Sequence, residues 1–321
     1  MNWINAFELL CYALTAILLV DIIKARDWKE LQVFLSGALA GFTLELGAVR
    51  LTDIYHYSDL YYLSIGIPPY QFPFFGGLMW GGVAVCALRI AGKFNGSHLT
   101  TALISGWLVV SMDLLLDVAA IRLSGGFWVW DGRPINLDIN HHMWMSIIWV
   151  NFLGYLFETP ALIYLTLRHE DRLKKKALGG HGGGETGRSR WQSILMMALR
   201  VVLIGWGAVI FVALASGIAL YLDGISDEWT SFLAFVALWL AILGKILVIL
   251  KDQAHRISWQ GKKDKVLILF WMALYGYCFL ALTSLGIFAA RPLYGLFALC
   301  LWAFTMALSL IQVKEDFMGQ I

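Results

Sequence analysis

The sequence predicts an all-α, polytopic helical membrane protein, and three observations carry that prediction. Hydrophobic residues fill 60% of the 321 positions and charged residues only 14%, with a mean hydropathy of +0.71. Soluble chains run about 45 to 50% apolar and about 25% charged. The apolar runs are long enough to cross about 30 Å of hydrocarbon as helices and too long for barrel strands. Fifteen Trp, twelve Tyr and nineteen Phe suit aromatic belts at two interfaces. A water-soluble fold, a disordered chain and a disulfide scaffold are excluded.

Nine spans follow, near residues 5–23, 31–49, 72–90, 99–121, 143–167, 193–222, 229–250, 266–289 and 293–313. The first resembles a signal peptide in length, but Met1 to Ala6 carries no Lys or Arg and no small-residue cleavage site follows, so it reads as an uncleaved span. Alternate connections hold 18 of the 24 basic residues, among them Lys24, Arg89, Lys174 to Lys176, Lys262 and Lys314. The opposite side holds Arg50, Arg122, Arg133 and Arg291, and Arg200 and Lys245 lie within spans. Because cytoplasmic loops retain Lys and Arg, the N-terminus is expected outside and the C-terminus in the cytoplasm of a cell (plasma or inner) membrane.

The chain divides by composition. Residues 1–167 form a five-helix block, 168–192 a basic, glycine-rich linker containing His181, and 193–321 a four-helix block. No sequence repeat relates the blocks, which speaks against an inverted-repeat transporter. Net charge of +2 with dispersed basic residues implies no nucleic-acid partner. Cys11, Cys86, Cys278 and Cys300 fall far apart in apolar stretches and read as small hydrophobes.

Ionisable groups within a membrane are costly and are functional candidates by default. The first block holds four at real depth, Glu45, Asp113, Asp117 and Glu158, and the second only Arg200 and Lys245. At 1.5 Å per residue, Glu45 lies about 6 to 8 Å, Asp117 about 7 Å, Asp113 about 13 Å and Asn151 about 12 Å below the outer ends of their helices. Glu158, near Pro160 and the cytoplasmic face, reads as structural. Asp113 and Asp117 are one turn apart and face one way. Two carboxylates on one apolar face cannot both ionise cheaply, so one is expected to hold a proton. The alternative is that one of them caps a neighbouring helix or pairs with Arg122.

The connections above these residues are aromatic: 50–71 includes Tyr55, His56, Tyr57, Tyr61, Tyr62 and Tyr70, and 122–142 includes Trp128, Trp130, His141 and His142. They predict a lid over buried carboxylates. Tyr57 and the ring faces of Trp80, Trp128, Trp130, Trp144 and Trp149 could meet a substrate or a cation, although interfacial anchoring is the better explanation of any single tryptophan and only the set beside carboxylates is informative. Asn151, flanked by Trp149 and Phe152, could hold a substrate or a water, or bond another helix. Gly37 and Gly41 have close-packing spacing. Nucleophile elbows, phosphate loops and Cys-x-x-Cys motifs are lacking. His141 and His142 are adjacent and cannot share the i, i+4 face of a helical metal pair, so no metal site is expected.

The motif series Glu45-Leu46-Gly47, His56-Tyr57-Ser58, Pro68 to Pro73 ahead of Trp80, Met112-Asp113-Leu114-Leu115-Leu116-Asp117, Phe127-Trp128-Val129-Trp130 and Trp149-Val150-Asn151-Phe152-Leu153-Gly154-Tyr155 resembles, in order, the integral-membrane carotenoid biosynthesis family. Its relevant members are of the γ-carotene 1′-hydratase and bisanhydrobacterioruberin hydratase type. The resemblance covers roughly residues 40–160. It implies hydration of a terminal isoprenoid double bond without redox cofactor or metal. Asp113 or Asp117 would supply the proton, tryptophan faces would stabilise the cation, and Glu45 or Asn151 would orient water. The implied substrate is a lipophilic polyene reached sideways from the bilayer. A different reading is a non-catalytic subunit that binds pigment or lipid and meets a membrane-protein partner through residues 193–321.

Overall fold

The computed structural model describes residues 2–52, 54–132, 134–179 and 190–313. His181, Arg133, Arg188, Lys314 and the glycine run of the linker lie outside the described residues. Ten α-helices follow in order: α1 (Trp3–Ala25), α2 (Trp28–Leu51), α3 (Phe74–Ala91), α4 (His98–Ala120), α5 (Trp149–Gly179), α6 (Arg190–Ser226), α7 (Trp229–Asp252), α8 (Lys265–Ser284), the single turn α9 (Ile287–Ala290) and α10 (Pro292–Leu310). Nine of them, all but α9, are long and apolar enough to cross a membrane.

The helices start where the sequence supplies caps. Asn2, Asp27, Ser97 and Asp264 each accept a backbone N–H from three residues ahead at the starts of α1, α2, α4 and α8. Two boundaries differ from the sequence expectation. Residues 143–148 are not the first turns of the fifth span but a tight hairpin, and the eighth span stops at Ser284, with Gly286 at φ 69° separating off α9.

Short strands decorate the helical bundle: β1 (Tyr55–Tyr57), β2 (Ser64–Ile65), β3 (Phe72–Pro73), β4 (Trp128–Trp130), β5 (Met143–Trp144), β6 (Ile147–Ile148), β7 (Ile257–Ser258) and β8 (Gln312–Val313). They pair antiparallel as β1 with β4, β2 with β3, β5 with β6 and β7 with β8. The β1–β4 ribbon joins two loops more than sixty residues apart, in the register Tyr55 to Trp130 and Tyr57 to Trp128.

Helix α4 is the axis of the bundle, packed against α3, α5, α7, α8 and α10. Helix α6 lies along α2 and α5, and α6 and α7 keep most of their apolar surface outward. At the end carrying the basic loops, Arg89 of α3 bridges Glu30 (2.6 Å), Asp21 (2.8 Å) and Asp264 (3.1 Å). Nearby, Lys93 donates to the carbonyls of Leu308, Ser309 and Ile311, which the end of α10 would otherwise leave unpaired. Gly37 and Gly41 do mark a close approach: a Cβ would stand 3.0 Å from Gly81 Cα at the first and 2.2 Å from Trp80 Cδ1 at the second. Cys11, Cys86 and Cys278 are buried, whereas Cys300 is exposed on α10.

Candidate active site

At the end of the bundle opposite the basic loops, a cavity of about 110 Å³ opens beneath the β1–β4 ribbon. Glu45, Asp113, Asn151, Tyr57, Trp80, Trp128 and Trp130 all line it, together with Tyr55 and Tyr155. Residues from α2, α3, α4, α5 and both aromatic loops therefore converge on one chamber. An engineered apolar cavity of about 150 Å³ takes up benzene, so a space of this class suits the end of a prenyl chain rather than a whole polyene.

The ribbon explains the aromatic walls. Strand side chains alternate between faces, so Tyr55 and Tyr57 turn inward with Trp128 and Trp130, while His56 turns outward to Asp131 at 3.0 Å. Both phenols donate to Glu45 Oε2, Tyr55 at 2.5 Å and Tyr57 at 2.7 Å. Burial, and then the adjoining Glu45 carboxylate, push both phenols well above the usual tyrosine range, so they remain donors throughout the working pH range. The loop is pinned from below. Glu8, fully buried in α1, accepts the backbone N–H groups of Tyr62 (2.7 Å) and Leu63 (3.0 Å), and Asn5 donates to the Leu60 carbonyl.

Across the cavity, Asp113 is 3% exposed and Asp117 fully buried. The two carboxyls stand one turn apart on the same face of α4. Asn151 Nδ2 donates to Asp117 Oδ2 at 2.6 Å. Asp113 Oδ2 and Asp117 Oδ1 are buried with no donor among the described residues. Asp113 faces the chamber, and Asp117 stands behind it, tied to α5. Arg122 does not pair with either; its guanidinium donates to the carbonyls of Val118, Asn136 and Met145, and neither aspartate caps a helix.

Trp149 and Phe152 do not reach the cavity. Trp149 donates to the Asn140 carbonyl and packs on Phe232 and Phe235, and Phe152 meets Phe235. Glu158 is buried with Oε1 lacking a donor and lies outside the cavity lining. Tyr155, which sequence reasoning left out, stacks on Trp80 at 4.8 Å and 18°. Its signal was present, since it stands one turn beyond Asn151 on the same face. Tyr55 was equally legible as the i, i+2 partner of Tyr57 on one strand face.

Helices α2 and α6 touch where a Cβ on Gly205 would come within 2.9 Å of the Ser36 carbonyl. Among the described residues, the group with metal-ligating geometry is not here but at His141, His142 and Asp227. No family model matches the chain, and no curated protein or solved structure matches it either.

Proposed function

We propose that this chain is a membrane enzyme of carotenoid or isoprenoid biosynthesis that hydrates a terminal isoprenoid double bond by acid initiation, in the plasma or inner membrane. The observation that carries the reading is the chamber itself, in which a carboxyl pair and a phenol-bound carboxylate face one another across aromatic walls. Asp113 transfers its proton to the less substituted alkene carbon. The tertiary cation left on the neighbouring carbon meets the faces of Trp80, Trp128 and Tyr155. A water oxygen bonds to that carbon, and Glu45 takes the proton released. Asn151 holds Asp117 in place. The prenyl tail enters sideways from the bilayer.

Expression in a host that accumulates an acyclic carotene tests this directly. Extracted pigment should gain one water per end group with the wild-type chain and none with Asp113→Asn inserted at the same level. Identical pigment profiles with and without the protein would remove the hydratase assignment. The outward apolar faces of α6 and α7 favour a second reading, a pigment- or lipid-binding subunit of a larger complex. Recovery of the chain with a stoichiometric partner in mild detergent, and no pigment conversion, would select it.

A further inference from the structure

We propose a zinc site at the lid end of the bundle, formed by His141, His142 and Asp227 with Glu228 behind them. One ring nitrogen from each histidine and one Asp227 oxygen all lie within 4.8 Å of one another. The adjacency of the histidines is no obstacle, because they sit in the loop leading to β5, where consecutive residues need not diverge as they do on a helix. Their ring centroids are 3.8 Å apart. The ring of His141 is fixed by stacking on Trp229 at 4.3 Å and 6°.

Two independent details point at a cation. His141 Nε2 is shielded from solvent with no hydrogen-bond partner among the described residues, and it faces Asp227 Oδ2 at 3.6 Å. Tetrahedral zinc holds its nitrogen and oxygen ligands at about 2.0 to 2.2 Å, which sets them roughly 3.3 to 3.5 Å apart. That edge is therefore already near its bound length. On the second ring, His142 Nδ1 lies 3.1 Å from Glu228 Oε2, the carboxylate–histidine pairing that orients metal-ligating imidazoles.

The carboxylates come from the α6–α7 turn, where Asp227 and Glu228 both adopt left-handed backbone (φ 53° and 64°). Asp227 is 80% exposed, so it can close the remaining distance without disturbing the core. A cavity of about 350 Å³ borders the cluster, lined also by Asp223 and Ser231, which bond each other at 2.8 Å. Two imidazoles and a carboxylate with an open position suit zinc better than the all-oxygen sites of magnesium or calcium. Bound there, the ion clasps the α6–α7 turn to the loop from which α5 and Asn151 start. The inference is independent of the hydratase reading.

The full-length protein in detergent, stripped with chelator and re-equilibrated with micromolar Zn²⁺, should retain about one zinc per chain by elemental analysis. His141→Ala and Asp227→Asn should lose it, Glu228→Gln should bind 10- to 100-fold more weakly, and His56→Ala, at a separate histidine–aspartate pair, should bind normally. Zinc should also raise the unfolding midpoint of the wild type and not of His141→Ala. Co²⁺ substitution in the wild type, which needs no variant to fold, should give the intense visible bands of a tetrahedral site. Less than a tenth of an equivalent of zinc, retention of zinc by His141→Ala, or an octahedral Co²⁺ spectrum would each overturn the site.

Discussion

Replacing Asp113 separates a catalytic carboxyl from a structural one by the sign of its effect on stability. Its Oδ2 and the neighbouring Asp117 Oδ1 are buried without donors, and a buried polar atom left unsatisfied costs about 1 to 3 kcal/mol. Asp113→Asn puts an amide donor one turn from Asp117 and removes one of the two carboxyls. Asp113→Leu removes the unsatisfied atom altogether, and its two methyl groups, bulkier than the oxygens they replace, can extend into the adjoining 110 Å³ of space. The Asn variant should therefore be neutral to about 1 kcal/mol more stable, and the Leu variant about 1 to 3 kcal/mol more stable. For a chain of this length each kcal/mol moves the midpoint by about 2 °C, so Leu should melt about 2 to 6 °C higher.

A thiol-reactive dye reads this transition well, since Cys11, Cys86 and Cys278 are buried and react only on unfolding, while exposed Cys300 sets the baseline. Both variants should lose pigment conversion. Asp117→Leu provides the contrast: it strips Asn151 of its 2.6 Å acceptor and should lower the midpoint. A fall of about 4 °C or more in both Asp113 variants, equivalent to roughly 2 kcal/mol, would show that this carboxyl holds the fold together and would refute the acid assignment.

Three further outcomes follow from the geometry. Gly41→Ala drives a Cβ to 2.2 Å from Trp80 Cδ1; it should cost about 1 to 3 kcal/mol by overpacking and abolish conversion by displacing the Trp80–Tyr155 stack, whereas Gly47→Ala, into open space, should do neither in the same dye and pigment assays. Tyr57→Phe should cost about 0.5 to 1.5 kcal/mol by removing one of the two phenol donors to Glu45, and a double-mutant cycle with Glu45→Leu should recover most of that as coupling energy. Arg89→Gln leaves Asp21, Glu30 and Asp264 without their shared cation; a loss of about 3 to 5 kcal/mol should appear as poor recovery from the membrane and early dye reaction.

The helices were legible because hydrocarbon demands long apolar runs, and their limits blurred where other structure is equally apolar. Met143, Trp144, Ile147 and Ile148 belong to a hairpin, yet they continue the hydropathy of α5 without a break. The polar core of the site was legible from depth alone, since Glu45, Asp113 and Asn151 are costly where they stand. Trp149 and Phe152 went astray because nearness in sequence to Asn151 was used without helical phase. At about 100° per residue they point roughly 160° and 100° away from it, towards α7. Glu8 escaped notice because the first span was weighed only as a signal peptide against an uncleaved span, although its carboxylate organises the lid loop. The paired histidines were dismissed by a helical rule that a loop does not obey.

The two sides of the chamber are built differently, and that asymmetry bears on the direction of proton movement in the hydratase reading. On α4, Asp113 has a second buried carboxyl one turn away, and two carboxylates on one apolar face cannot both ionise cheaply. On α2, Glu45 takes two phenol O–H donors on one oxygen, an arrangement that suits an ionised carboxylate as acceptor. Proton donor and proton acceptor are thus set apart by their partners rather than by residue type. The acceptor's partners come from β1, so Glu45 has this environment only while the β1–β4 ribbon is closed over the cavity. In the hydratase reading the paired ribbon readies the base, and a variant that unpairs it, such as Val129→Pro, should lose conversion even with every carboxyl intact.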